Sequence, residues 1–174
     1  QSIFDKQHDA YLHMSSQPST FSIDGVSLDL QGVKPQSVRK YGHSVSYFYK
    51  LNDYHVEVKY QLKDEWRFVS KQIFLDAREK ETYKVNSIKL LNAKIQEDIP
   101  DHLKLTRGNY GIALRMKQPE NGSDGYGCFM TVQNPFSEYI FDEDEMRIHY
   151  SPQMNWSQSR GSFASDRLCI GFSD

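Results

Sequence analysis

Four carboxylates stand in a row at Asp142-Glu143-Asp144-Glu145. A hard cation such as calcium takes several oxygen ligands, so a carboxylate cluster is the residue type such a site requires. Neighbouring residues on a strand point to opposite faces, however, and all four converge only if a tight loop gathers them. Asp142 and Asp144 are the calcium candidates, with Asp124 of the NGSDG loop a contributor from elsewhere. A solvated acidic turn between two strands is the favoured reading. The six histidines are His8, His13, His43, His55, His102 and His149, and none shows metal-ligand spacing of the HExxH kind.

Acid–base chemistry on a sugar would need a histidine and a carboxylate converging on a hydroxyl and the ring oxygen. His149 has Glu145 upstream, and His55 sits opposite acidic neighbours on an exposed strand face, but the sequence selects no pair. No GxSxG elbow presents a nucleophile, and Gly161-Ser162 lies in a polar connection. Glycine motifs for phosphate or dinucleotide binding are missing, so no cofactor is implied. Aromatic rings carry more promise, because apolar sugar faces stack on them while amides and carboxylates bind the hydroxyls. Trp66 in DEWRF, Trp156 in MNWSQ and Tyr126 beside the NGSDG loop are the glycan-contact candidates. The competing reading is that each covers an edge of the fold. Asn121-Gly122-Ser123 and Asn155-Trp156-Ser157 fit the glycosylation sequon.

The elements that must position these residues read as strands. In YHVEVKYQLK, His55, Glu57, Lys59 and Gln61 alternate with Val56, Val58, Tyr60 and Leu62. That is period two, with the second set expected in the core and the first in solvent. TFSIDGVSLDL alternates on both sides of Asp24-Gly25, a strong hairpin signal because both turn residues need positive φ. SVSYFYKL, EWRFVSKQIFL, TYKVNSIKLLNAKI, NYGIALRM, GYGCFMTV, SEYIFD, EMRIHYSP and DRLCIGF continue the theme, and DIPDHLKL is weaker. About eleven strands at this spacing point to an all-β, two-sheet antiparallel sandwich. Residues 1–19 read as a leading segment, with a short helix possible around 3–14, and 20–174 as a single domain. In FMTVQNPFSEY, Asn134-Pro135 cuts a strand and aromatics resume at once. Proline cannot donate to a ladder, so this is a corner at which the chain crosses between sheets. Asn134 is expected outside strand pairing and Phe136 tucked into the core.

Composition bounds the rest. The 174 residues suit one domain, and 13% aromatic content offsets the modest 38% hydrophobic fraction. A net charge of -2 leaves no basic footprint for nucleic acid. No apolar run approaches membrane-spanning length. The chain begins with Gln1, which points to removal of an upstream segment, and a secreted or periplasmic location is expected. Cys128 and Cys169 lie in strand-like stretches where buried free thiols are expected; a disulfide would require neighbouring strands.

The order of these features resembles a known family. A hairpin start, then SVSYFYKLNDYHVEVKYQLKDEWRFVSKQIFLDAREKETYKVNSIKLL, then GYGCFMTVQNPFSEY, RIHYSPQM and a terminal LCIGF are similar to one domain type. It is the N-terminal β-supersandwich, galactose-mutarotase-like domain of bacterial alpha-galactosidase (melibiase)-type glycoside hydrolases. The resemblance runs over roughly residues 20–172. It implies an accessory domain whose partner is a catalytic barrel, which would begin where this chain stops, and it carries over no catalytic residue. Three functions follow: a non-catalytic accessory domain that packs on a catalytic domain and contacts oligosaccharide, an independent glycan-binding module, and a small β-sandwich epimerase or lyase.

Overall fold

In the stretch YHVEVKYQ, Tyr54, Val56 and Val58 are buried while His55, Glu57 and Lys59 turn to the opposite face, as period-two geometry requires. The computed structural model, which describes residues 2–6, 9–77, 80–104, 111–116 and 126–173, is built from strands of this kind. In chain order they are β1 Ser2–Asp5, β2 Ala10–Ser16, β3 Thr20–Ile23, β4 Val26–Asp29, β5 Ser37–Tyr41, β6 Ser44–Leu51, β7 Tyr54–Gln61 and β8 Phe68–Asp76. Then come β9 Thr82–Ile95, β10 Asp101–Lys104, β11 Gly111–Arg115, β12 Gly127–Val132, β13 Glu138–Asp142, β14 Glu145–Tyr150, β15 Met154–Ser157, β16 Phe163–Ala164 and β17 Leu168–Ser173. A 3-10 turn at Gln158–Arg160 is the only helical element among the described residues.

The strands form two antiparallel sheets. The first has eight strands in the order β1-β2-β9-β14-β13, with β15 and the β3–β4 hairpin also on β9. The second has nine, ordered β10-β11-β12-β17-β8-β7-β6-β5, with β16 on β8. Leu12, Phe21, Ile23, Ile88 and Leu90 from the first sheet meet Ile73, Leu75, Ile112, Leu114 and Met130 from the second, all fully buried. Each such side chain contributes about 1.5–3 kcal/mol relative to exposure. The all-β sandwich expected from the sequence is therefore the fold.

Three local expectations need correction. Residues 3–14 are not helical: β1 and β2 pair with each other and β2 continues onto β9, burying Leu12 and Met14. Leu62 lies beyond the end of β7 and is 53% exposed, because the chain turns away there into the Lys63–Trp66 backbone hydrogen bond. Tyr60 packs only partly against the core. The Asp24-Gly25 turn matches expectation, with φ of 52° and 77° and Ile23 paired to Val26.

The corner is where expectation and structure divide. The chain does cross from β12 in one sheet to β13 in the other, and Asn134 lies outside strand pairing. Phe136, however, is 82% exposed. Asn134 Oδ1 accepts the Phe136 N–H at 2.8 Å, and the Asn134 carbonyl accepts the Ser137 N–H at 3.2 Å. This closed turn throws Pro135 and Phe136 outward. Tyr139 goes inside instead, and its hydroxyl accepts the Val132 N–H at 2.8 Å, tying the last residue of β12 to β13.

The terminal LCIGF strand is fixed by a contact that admits only glycine. A Cβ on Gly171 would meet the Arg67 carbonyl oxygen at 2.6 Å and the Phe129 ring at 2.6 Å. Phe129 is the cross-strand partner of Gly171, so the ring lies over the bare backbone.

Three substitutions check this arrangement. Tyr139→Phe orphans a buried backbone donor and is expected to lower urea-unfolding stability by about 1–3 kcal/mol, whereas Phe136→Ala stays within about 0.5 kcal/mol of the parent. Gly171→Ala is expected to cost about 1–3 kcal/mol through overpacking.

Candidate functional site

The aromatic candidates do not gather. Tyr126 is buried, its ring centroid 6.1 Å from that of Phe172, and it leaves no face for a ligand. Trp66 precedes β8 and stacks on Phe68 at 4.6 Å, with Lys63 Nζ 4.8 Å from the ring centroid, so its faces are engaged. Trp156, on β15, donates its Nε1–H to the Gly161 carbonyl at 2.7 Å and meets Phe163 edge-on at 5.5 Å. Phe163 pairs with Leu75, seven residues along β8 from Phe68, which is roughly 23 Å at the strand rise. The two tryptophans mark opposite ends of β8.

The acidic run forms a hairpin turn, with Asp142 paired to Glu145 and Glu143 at φ 54°. Asp144 Oδ2 takes Lys94 Nζ at 2.6 Å, so Asp144 is paired with a lysine on the adjoining strand β9. Asp124 and the Asn121 sequon lie outside the described residues, as does His8. Each of three histidines holds its own carboxylate: His13 with Glu97 at 2.7 Å, His43 with Asp64 at 3.4 Å and His149 with Glu138 at 3.3 Å. His102 packs on Phe141. Cys128 and Cys169 are free although β12 and β17 are neighbours. Cys128 pairs with core-facing Phe172 while Cys169 pairs with Thr131 on the other face, so the thiols point apart. Burial pushes the Cys128 thiol up to about 12, which makes it inert.

A further histidine shares its strand face with two acids. His55 lies opposite Asp76 on β8, with Glu57 two residues along on the same face. These three line a cleft of about 210 Å3 with Gln36 and Ser162. Among the described residues it is the assembly that comes nearest to acid–base equipment, and it sits on the outward side of β7.

The sequence reading overlooked Lys71. It lies on β8 in register with Val69, Ile73 and Leu75, and so points between the sheets. Its ammonium donates to the Leu90 carbonyl at 2.7 Å and to Ser19 Oγ at 2.9 Å, bridging β8 to β9 across the core. Cavities of about 150 Å3 and 230 Å3 both touch it. Burial lowers its pKa from the usual 10.5 to about 8. The alternation V-S-K-Q-I-F-L was the available signal, since it places a lysine on the apolar face.

The fold recurs as one part of a much larger solved protein. A protein described as a kojibiose phosphorylase, from the human microbiome, superposes with a TM-score of 0.56 at 10% identity, over 94% of this chain and 23% of that one. The GH36 alpha-galactosidase AgaA of Geobacillus stearothermophilus matches with a TM-score of 0.45 at 13% identity, over 99% of this chain and 30% of that one. The galactosidase domain of the alpha-galactosidase-sucrose kinase AgaSK gives a TM-score of 0.36 at 10% identity, over 99% and 29%. The chain thus spans less than a third of each of these proteins. No family model matches the sequence, and no curated protein does. The expected resemblance to a sandwich domain of a much larger enzyme is borne out as a likeness of fold, carried by the kojibiose phosphorylase match.

The buried lysine has a consequence in pH. Below about pH 8 the folded and unfolded chains both carry the Lys71 proton; above it the folded chain releases a proton that the unfolded chain keeps until about 10.5. Stability therefore rises with pH across this window. Unfolding free energies from urea titration are expected to climb by about 1–2 kcal/mol between roughly pH 7.5 and 9.5, and Lys71→Met to flatten the rise. Tyrosines ionising in the unfolded chain near pH 10 set the upper limit of the clean range.

Proposed function

We propose that this chain is a non-catalytic accessory β-sandwich domain of a carbohydrate-active enzyme, packing against a catalytic domain. The observation that carries this reading is the fold match over 94% of the chain to only 23% of a kojibiose phosphorylase. A unit of this size inside a much larger enzyme is one part of it, and fold alone does not confer activity. The described residues add support, because most histidines are tied in separate pairs and both thiols are buried. With the aromatic candidates dispersed, any oligosaccharide contact falls to the outer sheet faces. The same reading places the parent enzyme in a secreted or periplasmic setting, where oligosaccharide substrates are met.

A second reading has one observation in its favour. The cleft with His55, Glu57 and Asp76 supplies the residue types a small epimerase or lyase would use.

Turnover assays separate the two. The purified chain, incubated with neutral α- and β-glycosides and with kojibiose plus phosphate, is expected to release no product. Anomer interconversion should likewise match the buffer rate. Turnover that disappears in His55→Ala or Glu57→Gln would overturn the accessory reading and establish the enzyme.

A further inference from the structure

The outer face of the eight-stranded sheet carries a cleft of about 360 Å3, walled by β3, β4, β9, β13 and β14. That volume lies at the small end of the range that holds small molecules. Strand geometry explains its lining. Phe21, Ile88, Ile148 and Tyr150 turn into the core, so the residues between them turn outward. Lys89 is paired with Thr20 on one side and His149 on the other, making one cross-strand row. Ser27, Ser22 and Ser87 make a second row. Arg147, opposite Ile140, completes the wall. Register shifts in both ladders of β9 locally bend the sheet beneath these rows.

The cations of this cleft lie at its centre, and the row through Lys89 ends on a carboxylate at each side, Asp29 opposite Thr20 and Glu138 opposite His149. Lys89, Arg147 and His149 line it with no carboxylate among the lining residues, although the chain as a whole is at -2. Glu138 reaches His149 at 3.3 Å, which leaves Lys89 and Arg147 without an acidic partner among the described residues. Arg147 Nε is shut off from solvent and has no hydrogen-bond partner. A buried charged donor in that state is costly. Guanidinium matches carboxylate geometry with two parallel hydrogen bonds, and a lysine nearby adds a point charge. The three serines offer hydroxyls at the inter-strand spacing of about 4.8 Å, suited to a ligand with several hydroxyls of its own.

We propose that this cleft binds an acidic saccharide unit, a hexuronate whose carboxylate is received by Arg147 and Lys89 and whose hydroxyls meet the serine row. The oxyanion half of this assignment stands on the cleft alone; the saccharide half rests on the accessory-domain reading. The test is calorimetric titration of the whole chain with digalacturonate, with neutral galactobiose and inorganic sulfate as comparators. Digalacturonate is expected to saturate at a Kd at least about tenfold below both comparators, and to weaken as salt is raised. Arg147→Gln and Lys89→Gln should each weaken it by about tenfold or more, as loss of a charge-assisted hydrogen bond does. Glu138→Gln removes the carboxylate beside His149 and should tighten it several-fold, a gain that misfolding cannot produce. Equal affinity for digalacturonate and galactobiose would overturn the proposal, as would unchanged affinity in a folded Arg147→Gln. Sulfate binding as tightly as digalacturonate would overturn the saccharide assignment. The accessory-domain reading fails on turnover of neutral glycosides, so the two failures are distinguishable.

Discussion

Strand β9 carries the first sheet. Its fourteen residues pair with β14 and β15 along one edge and with β2 and β3 along the other. One strand must therefore keep its apolar side chains inward over a length at which neighbouring strands have different registers. A strict two-residue period could not do this for TYKVNSIKLLNAKI. The structure resets the phase twice. Asn86 is extra against β3, between the pairs Ser22–Ser87 and Ile23–Val85, and Leu90 is extra against β14, between Ile148–Leu91 and His149–Lys89. Tyr83 and Val85, then Ile88 and Leu90, then Leu91, Ala93 and Ile95 all reach the core as a result. A bulge inserts one unpaired residue and bends the strand, so the same device that saves the core also shapes the outer face on which Lys89 and Arg147 lie.

The two sheets are joined by more than apolar contact. Tyr83 of β9 donates to the Leu75 carbonyl of β8 at 2.9 Å, and Tyr150 of β14 accepts the Asp166 N–H at 2.8 Å. Tyr139 does the same for Val132, and Lys71 reaches back from β8 to β9. At the rim, Asp24 accepts from Tyr54, Lys80 and the Lys84 N–H. Burial would raise the Asp24 carboxyl, but these donors outweigh it and hold it below its usual value. Burial pushes the Tyr83 hydroxyl up to about 12. Tyrosine suits this task because its ring fills the core while its hydroxyl satisfies a polar group that would otherwise be buried alone. A chain of modest hydrophobic content can join its two sheets this way.

This economy bears on function. The inner space holds packed apolar side chains, polar bridges and the two cavities beside Lys71, while the clefts that carry several polar side chains open on the outer faces. The two outer faces differ: the β7–β8 side presents His55 with carboxylates, and the β3–β9–β14 side presents Lys89 and Arg147, without an acidic partner among the described residues, with hydroxyls. The dispersed tryptophans serve the edges of the sandwich, as caps on Phe68 and Phe163.

The sequence by itself determined the alternation of β7, the Asp24-Gly25 hairpin and the sheet crossing at Asn134-Pro135, because each rests on a rule about adjacent residues. It could not determine that Phe136 faces water while Tyr139 goes inside. That choice depends on Asn134 Oδ1 capturing the Phe136 N–H, and on Val132 needing an acceptor. Nor could it separate Tyr126, a core ring, from an exposed stacking platform, since both lie beside polar residues in the chain. Leu62 failed for a related reason: period two says which face a residue takes, but not where pairing stops. Arg147, Lys89 and the serines come from a hairpin and two further strands far apart in sequence, and only the registers of β9 with β3 and β14 set them side by side. Register is a property of the paired sheet, and a one-residue shift would turn every one of them to the other face.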